Sequence, residues 1–505
     1  MIIFIGDYKM SKWAEQTGSN KKWWIPFLLP AALLLFFEGM FLVYGPGVYN
    51  DSEQYLQMHI HREPLYPLFL WVFRLCTPEH YLVLMGILQN LLMAVSIWLL
   101  TGSIARKFSL SVGWQLLLVL LQVFPHLMTK YFSVMSVFIT NSVMSEALTF
   151  PLFTLWVMNA LELLWEGKRK NAVGMLLLSI LLSLTRSQMM VTVLIFFLVE
   201  LYRIIFVCHK KRILVSVVGL VILLAAAFGI RTLTVRCYNL AVHGRFINNT
   251  YGNVNLVTDM IYASDREDGE NIKDEQTRAF FYEIFDKAWE IEGNYQFAGS
   301  SLSQRAEHIE QKHDDIKFYC VEDTFYQYYD QNVTTDYITQ NLLADEQAAA
   351  IMKGIFPKCF KNWLLTYCGI VYYGLIRSIA VVHPLINFAA MLIYASAIAV
   401  TIWLWKRNQK SPAIPMMCLS LLFIAGNTAA VALTIMCLSR YMIYGFSLFY
   451  LSYLMVVAEL LGTYQCDKMV TIQSHIMNNR KIYDIYKSTS LSQNKFTDKD
   501  VHFIL

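Results

Sequence analysis

Long apolar runs constrain this chain more than any motif in it. They fall near 23–44, 81–104, 111–129, 138–164, 172–186, 188–208, 213–234, 383–405, 412–436 and 441–462. A helix needs about 20 predominantly apolar residues to cross the hydrocarbon core of a bilayer. A soluble helical protein has little use for so many such runs, because its core helices are shorter and keep a polar face. Only 15% of the residues are charged, against about 25% in soluble proteins. The reading is an all-α polytopic membrane protein with about ten transmembrane helices. The first run is too long for a secretory signal and has no small-residue cleavage site, so it reads as a retained anchor.

Charge sets the orientation. Lys21–Lys22, Arg106–Lys107, Lys168–Arg169–Lys170, Lys210–Lys211–Arg212 and Lys406–Arg407 fall in alternate loops. The positive-inside rule puts those loops in the cytoplasm, and both termini with them. The organisation that follows begins with a cytoplasmic N-terminus over 1–22 and a transmembrane module over 23–235, whose first outer loop is 45–80. An extracytoplasmic domain over 236–362, a second transmembrane module over 363–462 and a cytoplasmic tail over 463–505 complete it. The outer segment holds 12 Lys and Arg against 21 Asp and Glu, an acidic balance that fits translocation. It is too long for a connector. Helical periodicity near 274–292 and 338–355 predicts a small, mainly helical domain there. The stretch 363–380, rich in Tyr and broken by Arg377, reads as interfacial or re-entrant. Cys237, Cys320 and Cys359 fall in the outer segment and are open to disulfide formation, with no pairing readable.

The first outer loop is the richest in chemistry. It runs Tyr49-Asn50-Asp51-Ser52-Glu53-Gln54-Tyr55 and then His59-Ile60-His61-Arg62-Glu63-Pro64-Leu65-Tyr66-Pro67. The prolines stop one helix and start another, which lays the segment after Pro67 along the membrane surface. A carboxylate at the lip of a membrane cavity can take a proton from an incoming hydroxyl, and partial burial tunes its pKa. Asp51 and Glu53 are the candidates. The alternative for Asp51 is a helix cap, since Asn-Asp-Ser is a good capping sequence. His59 and His61, with Glu63, leave a divalent metal open if the segment is extended; no metal ligand set is assigned and no other cofactor is signalled. Tyr49, Tyr55 and Tyr66 are placed either to stack on a sugar or to form an interfacial belt.

Arg186, Arg231 and Arg440 each stand at the expected outer end of a span. Arginine is costly in hydrocarbon, and its planar fork matches a pair of phosphate oxygens. Convergence on a lipid phosphate is one reading, and snorkelling to the headgroups is the other. Glu146 lies near the outer end of its span, where pairing with an arginine or contact with substrate are both open.

These features together resemble the GT-C superfamily of membrane glycosyltransferases, such as the aminoarabinose and protein mannosyl transferases, which take sugar from a polyprenyl-phosphate carrier. Asp51 to Tyr55 is similar to that family's D-x-x-x-Y motif directly after the first span. Pro64-Leu65-Tyr66-Pro67-Leu68 is similar to its P-x-Y-P-L motif. Asn141-Ser142-Val143-Met144-Ser145-Glu146, Leu182-Ser183-Leu184-Thr185-Arg186 and Ser439-Arg440-Tyr441 extend the likeness. The resemblance implies a GT-C-like bundle and inverting sugar transfer on the extracytoplasmic side of the plasma (cell inner) membrane. It implies Asp51 as general base, with Glu53 the second candidate, because relatives carry adjacent acidic residues where this chain splits them. Tyr55, His61, Glu63, Tyr66, Glu146, Arg186, Arg440 and Tyr441 become the expected substrate-binding residues. The implied partners are a polyprenyl-phosphate-linked sugar donor, a glycan, lipid or protein acceptor, and membrane lipids. The basic runs are loop anchors, with no nucleic-acid module. The rival functions are a lipid-linked glycan flippase or other transporter, and a non-enzymatic assembly protein of the membrane.

Overall fold

A computed structural model describes residues 25–49, 51–132, 136–207 and 213–462. The expectations for 1–22, for Lys210–Lys211–Arg212 and for the 463–505 tail lie outside the described residues. Among the described residues the regular elements are all helical, and extended backbone pairs only in one parallel bridge, Gly47 with Ser142.

In chain order the first module comprises α1 (Ile25–Tyr44), α2 (Leu65–Cys76), α3 (Tyr81–Phe108), α4 (Val112–Tyr131), α5 (Ser145–Glu166), α6 (Arg169–Thr185), α7 (Val191–Tyr202) and α8 (Ile213–His243). The polar segment follows with α9 (Gly252–Ala263), α10 (Glu275–Glu290), α11 (Leu302–Asp315), α12 (Asp323–Asn332) and α13 (Tyr337–Arg377). The chain then returns through α14 (Pro384–Arg407), α15 (Ala413–Ala432) and α16 (Tyr444–Leu461).

Among the described residues eight helices are long and apolar enough to cross a membrane: α3, α4, α5, the Ser187–Phe206 run containing α7, α8, α14, α15 and α16. The protein is therefore a multi-pass helical membrane protein. Two further expected spans are shorter. The apolar part of α1 is Leu28–Tyr44, and α6 has 17 residues. Both pack tightly all the same. A Cβ on Gly86 of α3 would lie 2.2 Å from the Phe41 ring of α1, and one on Gly174 of α6 would lie 2.4 Å from the Asn159 carbonyl of α5. Only glycine allows either approach.

Two expectations change. The run 138–164 is not helical from its start, because α5 begins at Ser145 after a 3-10 turn over Ile139–Asn141. Thr140 and Asn141 bond instead to Asn90 of α3, at 2.6 and 3.0 Å, and Gln89 donates to the Thr140 carbonyl at 2.9 Å. Polar side chains with such partners favour the irregular strap over helix. The 363–380 stretch is not a re-entrant break, because it is the second half of the unbroken 41-residue α13. At about 1.5 Å per residue this helix is some 60 Å long. Tyr337 at its start lies against His59 (ring centroids 5.8 Å apart). Arg377 at its end bonds Glu310 at 2.7 Å and the Cys437 carbonyl at 3.1 Å.

The polar segment is helical, as its periodicity predicts, and its core of Val257, Ile261, Phe281, Ile284, Val321, Phe325 and Ile351 continues into Val431, Met436 and Met442 of the membrane module. Its cysteines are free thiols: Cys237 is exposed, and Cys320 and Cys359 are buried without a disulfide.

Candidate functional site

The loop after α1 is fixed by its backbone. Gly47 receives and returns hydrogen bonds with the strap before α5: its amide donates to the Asn141 carbonyl and its carbonyl accepts from the Val143 amide, each at 2.8 Å. A short turn, Ser52–Leu56, follows, and Met58 at φ +55° reverses the chain. Pro64 and Pro67 open α2, the place in a helix where proline's missing amide costs nothing.

Asp51 stands at the N-terminus of the short turn but makes no capping bond. The capping alternative therefore fails, and its carboxylate goes elsewhere. Arg62 Nη2 donates to one oxygen at 3.1 Å and Arg440 Nη1 to the other at 2.8 Å. Each of the three side chains is about a quarter exposed. Arg62 also donates through Nε to Gln54 at 2.8 Å and through Nη1 to the Tyr55 hydroxyl at 3.3 Å.

Beside this trio, Arg186 pairs with Glu146 at 2.5 Å and donates to the Ser145 hydroxyl at 3.2 Å. Ser145 in turn bonds the Tyr55 hydroxyl at 3.0 Å. Tyr441 joins the two sets. Its ring lies 4.8 Å from the guanidinium carbon of both Arg186 and Arg440, and its hydroxyl accepts from Arg440 Nη2 at 2.7 Å. The cluster thus assembles three guanidiniums around two carboxylates, from four separated parts of the chain. Its excess positive charge, with fork-shaped donors, suits an oxyanion such as a phosphate.

The pairing decides what Asp51 can do at rest. Burial pushes its carboxyl up, but Arg62 and Arg440 outweigh burial and hold it below the usual carboxylate value. A carboxylate so held is a weak base until something takes its arginines away.

The other expected site residues divide. Glu53 is exposed and bonds Gln57, so it stands outside the cluster. Tyr55 and Tyr66 are buried, at 4% and 0% exposure, and present no free face for a sugar. Tyr66 donates to Gln89 at 3.1 Å and to the Ser142 carbonyl at 3.3 Å; both tyrosines hold the loop in shape. Tyr49 packs on the same small apolar core. Glu63 is buried and pairs with Arg231, tying the loop to α8 rather than to the cluster. Arg231 accordingly does not converge with the other two arginines. His61 bonds Gln54 at 2.9 Å and stacks on Tyr251 (centroids 5.2 Å apart). Burial, then Arg62, His59 and Lys317, push His61 down to about 3, so it is neutral at physiological pH. The His59 and His61 rings meet edge to face, 5.3 Å apart. Among the described residues no group of three His, Cys, Asp or Glu side chains is placed to hold a metal.

Sequence reasoning assigned no role to Arg62, Ser145, Tyr251 or Lys317. Arg62 had a signal, since it stands beside the proline break. The other two outlying residues, Tyr251 and Lys317, come from the polar segment, whose packing over the loop has no sequence signature.

Fold and site define a multi-pass helical membrane protein with a cation-rich, ion-paired cluster at one end of its bundle. No family model, curated protein or solved structure matches the chain.

Proposed function

We propose that the protein is a membrane glycosyltransferase of GT-C-like design. In this reading ten spans, counting α1 and α6, surround a site on the extracytoplasmic side, and the 236–362 segment is an extracytoplasmic domain. The donor is a polyprenyl-phosphate sugar and the acceptor a hydroxyl on a glycan, lipid or protein. The observation that carries the reading is Asp51 suspended between Arg62 and Arg440, with Arg186 sharing Tyr441 beside them. Two further observations support it. Arg106, Lys107, Lys168 and Arg407 sit at the helix ends opposite to Glu146 and Arg186, which fits the positive-inside rule. The cluster is at the end of the bundle rather than midway along it, as suits a reaction at the lipid headgroups better than a transport path.

The resting ion pairs suggest a sequence of events. The donor phosphate competes with Asp51 for Arg440 and Arg62. As the guanidiniums turn to the phosphate, Asp51 loses the charges that hold its pKa down, while its burial remains. It becomes a competent base. The acceptor hydroxyl attacks the anomeric carbon as the bond from that carbon to the phosphate oxygen breaks. The hydroxyl proton passes to Asp51, the configuration inverts, and the arginines balance the charge on the departing lipid phosphate.

The test is sugar transfer from a radiolabelled polyprenyl-phosphate donor by the full-length protein in lipid, with wild type and Asp51→Asn compared. Loss of transfer with lipid binding intact supports the reading. Transfer by the variant at the wild-type rate removes Asp51 as base, and absence of transfer by wild type across donors and acceptors overturns the function.

A further inference from the structure

The polar segment carries a cation that the mechanism above does not use. Lys317 is 7% exposed, and among the described residues its ammonium has no hydrogen-bond acceptor and no carboxylate within 4 Å. Its contacts are two aromatic rings, Tyr251 at 4.5 Å and Phe318 at 4.8 Å. The stem is buried but the ammonium nitrogen keeps contact with solvent, so its charge, without an ion pair, is open to an incoming anion.

Three further observations point to the same place. Lys317 lies on a π-helical stretch, Ile316–Glu322, between α11 and α12, and π-turns within helices are frequent at functional sites. Tyr251 holds the left-handed conformation at φ +82°, which a bulky residue adopts only when its surroundings enforce it. Its ring lies against both His61 and Lys317, and its hydroxyl donates to Glu322. A buried guanidinium nitrogen without a partner, Arg440 Nε, borders the region as well. Arg62 and Asp51 are close enough to act on the Lys317 charge, with Glu322 and Asp314 the nearer counter-charges. Through Tyr251, which touches both Lys317 and His61, the lysine neighbours the first loop.

We infer that Lys317, backed by Tyr251, forms a second anion subsite, separate from the arginine cluster, for a negatively charged substituent on one of the glycans that react there. The inference rests on the transferase reading for the word glycan, but not for the anion. The arginines suffice for one lipid phosphate. A further cation backed by an aromatic ring fits a sugar carrying a carboxylate or a phosphate, with Tyr251 beside the charged group.

The test is calorimetric binding to the full-length protein in detergent, saturated with short-chain polyprenyl phosphate so that the arginines are occupied. The probes are glucuronate, glycerol 3-phosphate and, as the neutral control, glucose. Wild type is expected to bind at least one anionic probe and not glucose. Lys317→Met is expected to weaken that binding about tenfold or more, and Lys317→Arg to restore most of it. Polyprenyl-phosphate binding within about twofold of wild type shows that the Met variant is folded. A polyprenyl-phosphate sugar that displaces the probe assigns the anion to the transferred sugar, and one that leaves it bound assigns the anion to the acceptor. No preference for the anions over glucose overturns the inference. So does unchanged binding in Lys317→Met, or a loss of lipid-phosphate affinity as large as in Arg440→Gln. Because nothing is turned over, failure of the transferase reading shows separately, as probe binding without sugar transfer.

Discussion

At the end of the bundle that carries Lys168 and Arg203, two ion pairs close between near neighbours, Lys168 with Glu166 and Arg203 with Glu200, each at 2.5 Å, and a third, Arg106 with Glu162 at 3.3 Å, spans only 56 residues. At the other end they reach across the chain. Asp51 and Arg440 are 389 residues apart, and Glu63 and Arg231 are 168 apart. Neighbour pairs form wherever the chain runs, and exposed ones contribute little. Long-range buried pairs exist only when the fold has closed, and they leave an uncompensated charge when one member is removed. In the proposed reading the first end anchors the protein and the second holds charge.

Substitutions at the two ends should therefore part company. The largest expected effect is on catalysis. Arg440→Gln should lower sugar transfer about 100- to 1000-fold, in line with the loss of one preorganised donor to a developing charge. Arg106→Gln, at the anchoring end, should leave the rate within about twofold. Equal losses in both would dissolve the distinction.

Next comes stability. Glu146 is 3% exposed, so Glu146→Gln strands Arg186 and should cost about 3–5 kcal/mol. The double replacement Glu146→Gln with Arg186→Gln should recover most of that, measured by thermal unfolding in detergent.

The polar segment offers an intermediate case, since its buried Asp259 faces His313 at 3.8 Å without a bond between them. Burial pushes Asp259 up to about 7, with His313 pulling the other way. The folded protein thus holds this proton more tightly than the unfolded chain, and stability falls as pH rises from about 4 through about 7. Asp259→Asn should raise the melting temperature at pH 8 and leave it nearly unchanged at pH 4. The gain is on the order of a few kcal/mol at most. A gain of the same size at pH 4 would put the effect in packing rather than in the proton. The smallest effect belongs to the anchoring end: Lys168→Ala should shift stability by no more than about 0.5 kcal/mol.

Much of the membrane-spanning architecture was legible because it depends on composition along the chain. The runs that became α3, α4, α8, α14 and α15 needed only apolar length. The start of α5 was misplaced because Thr140 and Asn141 satisfy their side chains on α3, a partner that no local pattern reveals. At the site, the loop motif and the ends of the spans pointed to Asp51, Glu146, Arg186, Arg440 and Tyr441, which do come together. Glu63 and Tyr66, from the same motif, turn inward to hold the loop. Acidic or aromatic character alone does not separate a residue that faces substrate from one that shapes the loop; burial does. Lys317 was invisible because its meaning depends on a π-turn and on packing against a loop more than 250 residues earlier.

The central claim, that the Asp51 end and not the anchoring end receives a lipid phosphate, can be tested by photolabelling. The reagent is a short-chain polyprenyl phosphate with a diazirine beside the phosphate, used on the reconstituted full-length protein with mapping of the labelled peptides. The expected result is labelling in the 51–66, 186–190 and 438–444 peptides, competed away by unmodified polyprenyl phosphate and weakened by Arg440→Gln. Labelling confined to the 106–112 and 166–170 loops, or labelling that polyprenyl phosphate does not compete, would contradict the account.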